Sequence, residues 1–135
     1  MMTDVIGIGM YQESSTKRRP VVLLVEDEPA VRRSLQLVLQ GSGLTVRSYA
    51  TSAALLADPR ASKADGVVAD YRLPDGDGLS VLRSLRDDGF DGCAILVTGF
   101  GSPELIARAE EAGFRRILEK PLPERVLRKA IAELL

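Results

Sequence analysis

The chain has 135 residues, enough for one domain with its own core and too few for two of ordinary size. Its 18 basic and 19 acidic residues leave a net charge of −1, so the balance marks neither nucleic acid nor an anionic membrane as a partner. Histidine is absent, which removes the commonest general base and the commonest zinc ligand, and the single cysteine, Cys93, excludes a disulfide framework. Cys93 begins an apolar run and reads as a buried, inert thiol, in keeping with a reducing cytoplasm. No apolar stretch approaches the roughly 18 residues needed to span a bilayer, and the N-terminus lacks the charged-then-apolar order of a signal peptide. Chemistry in this chain has to come from carboxylates, hydroxyls and amines.

Residues 1–19 carry scattered apolar positions without a period and read as a mobile tail, with Lys17-Arg18-Arg19 a solvated lead-in to a domain over residues 20–135. Val21 to Val25 is continuously apolar, the pattern of a strand covered on both faces. The next stretch puts Val31, Leu35, Val38 and Leu39 on one helical face, opens with Pro29 and stops at Gly41-Ser-Gly43. The alternation then repeats: strand Leu44 to Tyr49, short helix Thr51 to Ala57, strand Gly66 to Asp70, helix Asp77 to about Arg86. It closes with strand Ala94 to Thr98, helix Pro103 to Ala112 capped by Ser102, strand Arg115 to Glu119 and helix Pro123 to Leu134. Strands alternating with helices through short connections predict an α/β fold, a doubly wound parallel sheet with helices on both faces.

In such a sheet ligands sit outside the carboxyl ends of the strands, near the point where strand order reverses. Glu26, Asp27, Asp70, Thr98 and Lys120 all stand at such ends. If Asp70 converges with Glu26 or Asp27, two carboxylates about 4 Å apart repel by roughly 4 kcal/mol at an effective dielectric near 20, so either one protonates or a cation joins them. A hard divalent ion such as Mg²⁺ suits carboxylates, a loop carbonyl and water, and it commonly shares its shell with a phosphate. Lys120 and Thr98 offer a positive charge and a hydroxyl to an anion. With no Ser-His pair, the available nucleophile is a carboxylate, which points to phosphoryl transfer. Gly99, without a side chain beside Thr98, leaves room for a phosphoryl group, whereas Asp75 and Asp77 in Pro-Asp-Gly-Asp-Gly read as turn and helix-start residues.

The pattern Leu-Leu-Val-Glu26-Asp27-Glu28-Pro, then Asp70-Tyr-Arg-Leu-Pro74-Asp-Gly-Asp-Gly78, then Ile-Leu-Val-Thr98-Gly99, then Ile-Leu-Glu-Lys120-Pro121 resembles the receiver domain of two-component response regulators, from about residue 20 onward. The resemblance implies a flavodoxin-like sheet of five strands in the order 2-1-3-4-5, with Asp70 as phosphoacceptor. It further implies that Glu26, Asp27, Asp70 and the backbone carbonyl of Arg72 hold Mg²⁺, that Thr98, Gly99 and Lys120 surround the phosphoryl group, and that the Lys120-Pro121 bond is cis. The implied donor is a histidine kinase or histidine phosphotransfer protein. The implied output is a changed surface read by a protein partner, or by a second copy through the fourth helix, fifth strand and fifth helix, without direct nucleic acid or membrane binding.

One position departs from the pattern: three residues before Lys120 the family commonly has Tyr or Phe, and here Ile117 stands there. An aromatic rotamer switch is therefore absent at that position. Phe100 and Arg72 occupy positions that flank the phosphoryl group in relatives and are expected to tune its hydrolysis. The sequence ends with the fifth helix, so the expectation is a stand-alone phosphorelay module, with no enzyme activity beyond phosphorylation and dephosphorylation of Asp70. Two other readings compete with it. A Mg²⁺-dependent phosphatase acting on free substrates would need an acid where Arg72 stands; a scaffold that binds partners without phosphorylation would not need the acidic pair, Thr98 and Lys120.

Overall fold

In the computed structural model, which describes residues 18–135, each apolar run of the sequence is a strand and each amphipathic stretch a helix. The order is β1 (Val21–Val25), α1 (Pro29–Gly41), β2 (Thr45–Tyr49), α2 (Ser52–Leu56), a 3-10 turn (Ala61–Lys63) and β3 (Gly66–Asp70). A small ribbon follows, β4 (Arg72–Leu73) and β5 (Gly76–Asp77), then α3 (Gly78–Asp87), β6 (Cys93–Thr98), α4 (Pro103–Ala112), β7 (Arg116–Glu119) and α5 (Glu124–Leu134). The main sheet has 5 parallel strands in the order β2-β1-β3-β6-β7. This is the expected 2-1-3-4-5 arrangement, because the antiparallel ribbon β4–β5 is a separate sheet and only shifts the numbering. The expectation for the tail up to residue 17 lies outside the described residues.

The central strands are apolar up to their carboxyl ends, where Asp70 and Thr98 stand, because successive side chains enter two different cores. Leu23, Val25, Val67, Ala69, Ala94 and Leu96 pack with Leu82, Leu85, Leu105 and Ala109 of α3 and α4, and with Leu55 of α2. Val22, Leu24, Val68, Ile95 and Val97 pack with Leu35 and Leu39 of α1 and with Leu127, Ala130 and Ile131 of α5. Both faces are thereby dry, and only the ends of the strands meet solvent.

The observed element ends differ from the expected ones by about one residue, and side-chain caps account for two of the shifts. Thr51 and Asp77 stand outside their helices: Ala54 N–H donates to Thr51 Oγ1 (3.0 Å) and Ser80 N–H to Asp77 Oδ1 (2.8 Å). Ser102 caps α4 as expected, accepting from Leu105 N–H at 3.1 Å. Arg18 stays exposed, as expected of a solvated lead-in, and its guanidinium also donates to Asp65 Oδ2 and Oδ1 at 3.0 and 3.2 Å. Asp65 also accepts the Val21 N–H at 2.7 Å, so this acid pins the start of β1. Cys93 is half-buried rather than buried, because it lies at the open N-terminal end of the sheet; burial still pushes its thiol pKa up, which keeps it protonated.

Two glycines let the chain run tightly past the ends of β3. A Cβ on Gly78 would lie 2.6 Å from the Asp70 carbonyl oxygen, and a Cβ on Gly92 would lie 2.5 Å from the Asp65 carbonyl oxygen. No helix among the described residues is long and apolar enough to cross a membrane.

Candidate functional site

From β1 the chain crosses to β2 on one side, and β3 pairs on the other, so the order reverses between β1 and β3. The carboxyl ends of both strands open onto that crevice. Among the described residues, the polar or charged ones that are buried are Glu26 (1% exposed), Thr98 (3%) and Asp70 (7%). All three stand at this end of the sheet. Buried acids are costly unless partnered, so their placement here is a structural expense at one location.

Glu26, Asp27 and Asp70 each offer a carboxylate oxygen, and these oxygens lie within 4.8 Å of one another. Lys120 Nζ donates to Glu26 Oε1 at 2.9 Å and to Asp70 Oδ2 at 3.0 Å. The β1–α1 turn holds the first acid: Glu28 N–H donates to Glu26 Oε2 (3.0 Å), and Arg32 Nη1 donates to the Glu26 carbonyl (2.8 Å). Burial raises the Glu26 carboxyl above its ordinary range and Asp70 adds to the effect, against the Lys120 and Glu28 donors. For Lys120, burial works against the charge, but the hydrogen bonds to Glu26 and Asp70 outweigh it and hold the ammonium above the usual lysine value. Three carboxylates thus face one ammonium. The all-oxygen donor set and the surplus of negative charge fit a hard divalent ion, and the solvent-exposed Asp27 leaves the cluster open on one side.

Thr98 ends β6 beside this cluster, and its hydroxyl is engaged with its own loop. Oγ1 accepts from Phe100 N–H and donates to the Phe100 carbonyl, both at 3.2 Å. The loop is bracketed by β7: Lys120 N–H donates to the Thr98 carbonyl (2.8 Å), and Gly101 N–H donates to Glu119 Oε2 (2.7 Å). A Cβ on Gly99 would meet nothing within 4 Å, so the space beside Thr98 is open. Phe100 is 76% exposed. It lines a cavity of about 180 Å³ together with Tyr71, Arg72 and Thr98. Ile117 is half-buried and packs on the core shared with α3 and α4. The Lys120–Pro121 bond is cis, as expected.

The structure therefore brings Glu26, Asp27, Asp70 and Lys120 into one cluster and sets Thr98 and Gly99 in the adjoining loop. Arg72 begins the ribbon two residues after Asp70 and pairs with Asp77. Sequence reasoning missed the contacts that three residues make around the site: Arg32 of α1 with the Glu26 carbonyl, Glu119 of β7 with the Gly101 N–H, and Asp75 of the ribbon turn with α2. Its reading of Asp77 as a helix-start residue is right. Asp75 caps a different helix, accepting from Ser52 N–H (3.1 Å) and Ala53 N–H (2.9 Å) of α2. None of the three carries a local signal, because each acts on backbone remote in sequence or ordinary in type.

The family model of the response regulator receiver domain matches residues 22–132. The transcriptional regulatory protein FixJ of Rhizobium meliloti (strain 1021) is 34% identical over 110 residues, which is 82% of this chain and 54% of FixJ. The KDP operon transcriptional regulatory protein KdpE of Escherichia coli (strain K12) is 37% identical over 100 residues, 74% of this chain and 44% of KdpE. The chain spans about half the length of these two relatives. A response regulator receiver domain protein (CheY-like) from Methanospirillum hungatei JF-1 superposes with a TM-score of 0.76 at 26% identity, covering 86% of this chain and 93% of that one. Chemotaxis protein CheY4 of Vibrio cholerae shares the fold, with a TM-score of 0.81 at 23% identity over 87% of this chain and 100% of that one. With a match that runs from β1 into α5, the chain belongs to the receiver domain family of two-component response regulators.

Proposed function

We propose that Asp70 accepts a phosphoryl group from the phosphohistidine of a histidine kinase or histidine phosphotransfer protein, with residues 20–135 as the receiver unit of a cytoplasmic phosphorelay. Family membership supports phosphoryl acceptance, Mg²⁺ binding and histidine kinase partners in general. The observation that carries the reading for this chain is the gathering of its buried polar residues, Glu26, Asp70 and Thr98, at one end of the sheet with Lys120 bonded to both acids.

In this reading an Asp70 carboxylate oxygen attacks phosphorus in line, the donor's N–P bond breaks and an O–P bond forms. Water later takes the phosphoryl group, returning the carboxylate and inorganic phosphate. Asp70 acts on itself and turns over no free substrate. Glu26, Asp27, Asp70 and the Arg72 carbonyl would hold Mg²⁺, which when bound supplies charge neutralisation between carboxylate and phosphoryl oxygens. Lys120 adds a point charge to a phosphoryl oxygen, and Gly99 leaves room for the incoming group. Thr98 reaches that group by releasing Phe100, and the exchange of partners pulls on the loop that Glu119 holds. With Ile117 in place of an aromatic ring, coupling to the surface runs through this backbone, toward α4, β7 and α5. That face, read by a protein partner or a second copy, is the output. Phe100 and Arg72, at the mouth of the adjoining cavity, control water access to the aspartyl phosphate.

Incubation with Mg²⁺ and a small acyl phosphate, followed by intact mass measurement, tests the reading. One phosphoryl adduct that is absent in Asp70→Asn supports it. Turnover of unrelated phosphate esters would instead indicate a phosphatase, and no adduct on the wild-type protein would indicate a scaffold.

A further inference from the structure

The loop after Asp70 is tied to a helix that contributes no side chain to the site. Asp75 accepts the N–H of Ser52 on Oδ1 (3.1 Å) and of Ala53 on Oδ2 (2.9 Å). The next N–H of α2, that of Ala54, is taken by Thr51. The first turn of α2 is thus capped from two directions: locally by Thr51, and across the fold by Asp75. These backbone donors hold the Asp75 carboxyl below the usual range, so it is ionised at neutral pH and its bonds are charge-assisted.

Asp75 lies in the turn of the ribbon, between β4 and β5. The base of the ribbon is fixed by Tyr71 N–H donating to the Val97 carbonyl (2.8 Å) and Gly78 N–H donating to the Tyr71 carbonyl (2.9 Å). Its middle is fixed by Leu73, which is buried in the core. Two-stranded ribbons are marginal by themselves, and this one pairs only Arg72 with Asp77 and Leu73 with Gly76. Its tip is held to the body of the protein by Asp75.

We propose that Asp75 is a positioning residue for the metal site: by clamping the tip of the β4–β5 ribbon to α2, it fixes the backbone of Arg72, and hence its carbonyl, relative to Asp70. The proposal rests on the reading of the Arg72 carbonyl as a Mg²⁺ ligand. Asp75 touches neither metal nor phosphoryl group; it acts through the ribbon.

Calorimetric titration of the full chain with Mg²⁺ alone tests this, on wild type, Asp75→Ala, Asp75→Asn and Thr51→Ala. Asp75→Ala weakens Mg²⁺ binding about tenfold, the low end of what losing outer-shell support costs a metal site. Asp75→Asn, whose amide oxygen still accepts one N–H, falls between it and wild type and serves where the alanine variant folds poorly. Thr51→Ala removes a cap from the same helix without touching the ribbon and changes the affinity by less than about twofold. Affinity in both Asp75 variants within twofold of wild type, or an equal loss in Thr51→Ala, would overturn the proposal while leaving the site reading intact. A wild-type chain that binds no Mg²⁺ would overturn both.

Discussion

Strand β3 has an aspartate at each end, and the two live in opposite surroundings. Asp65, immediately before the strand, accepts both guanidinium nitrogens of Arg18 and the Val21 N–H, and its side chain keeps 30% exposure. Asp70, which closes the strand, is 8% exposed at its side chain and shares the one ammonium of Lys120 with Glu26, within reach of Asp27. The backbone at the two ends is packed alike, since Gly92 passes as close to the Asp65 carbonyl as Gly78 does to that of Asp70. Packing therefore does not decide which end does chemistry. The charge at Asp65 is satisfied inside the protein, and the charge around Asp70 is not, so only the second end asks for a ligand.

The largest expected effect tests the likeness of the backbone. Gly78→Ala and Gly92→Ala each lower stability in urea by roughly 1–3 kcal/mol, the cost of forcing a methyl group into a filled space. If one is tolerated and the other is not, the two ends are not packed equivalently.

Next comes the difference in charge. Asp27→Asn removes a carboxylate from the crowded end, and relief of repulsion, worth about 1 kcal/mol for solvent-screened charges at this spacing, raises the melting temperature in chelator. In Mg²⁺ the order reverses, because the ion stabilises the wild-type fold by mass action and the variant much less. A variant less stable than wild type in chelator would contradict a surplus of negative charge at this end.

The smallest effect belongs to the satisfied end, and it has the opposite sign. Asp65→Asn lowers stability at neutral pH by up to about 1 kcal/mol, as for a partly exposed ion pair. The hydrogen bond from Arg18 and then the Val21 N–H hold the folded-state pKa of Asp65 below the unfolded value of about 3.9. The contribution is therefore full above that unfolded value and is lost as pH falls through the folded one. Thermal melts of the two proteins converge at acid pH; a gap that persists there would mean that the acid acts through something other than its charge.

Much of this comparison is legible in the sequence. Continuous runs such as Val21 to Val25 announce strands covered on both sides, and a carboxylate, hydroxyl or amine at the end of each of four runs announces where a doubly wound sheet would gather them. The roles proposed for Asp70 as phosphoacceptor and for the Arg72 carbonyl as a metal ligand rest on resemblance to a family, since residue types alone leave protonation and metal binding both open. What was hidden has a common cause in sequence distance. Arg18 meets Asp65 47 residues on, and Asp75 reaches back 22 and 23 residues to cap α2. A charged residue in a loop shows no partner in the sequence until the fold brings one to it. The ribbon β4–β5 was also missed, because strands of two residues have no period to read.

The claim that Asp70 is the nucleophile is tested most directly by trapping. Protein incubated with Mg²⁺ and an acyl phosphate is reduced with borohydride, which converts an aspartyl phosphate to homoserine, and the peptides are then sequenced by mass spectrometry. The account predicts homoserine at position 70 alone, dependent on Mg²⁺ and on the donor. Homoserine at Asp27, Asp65 or another acid, or reduction nowhere in a folded and Mg²⁺-loaded chain, would contradict it.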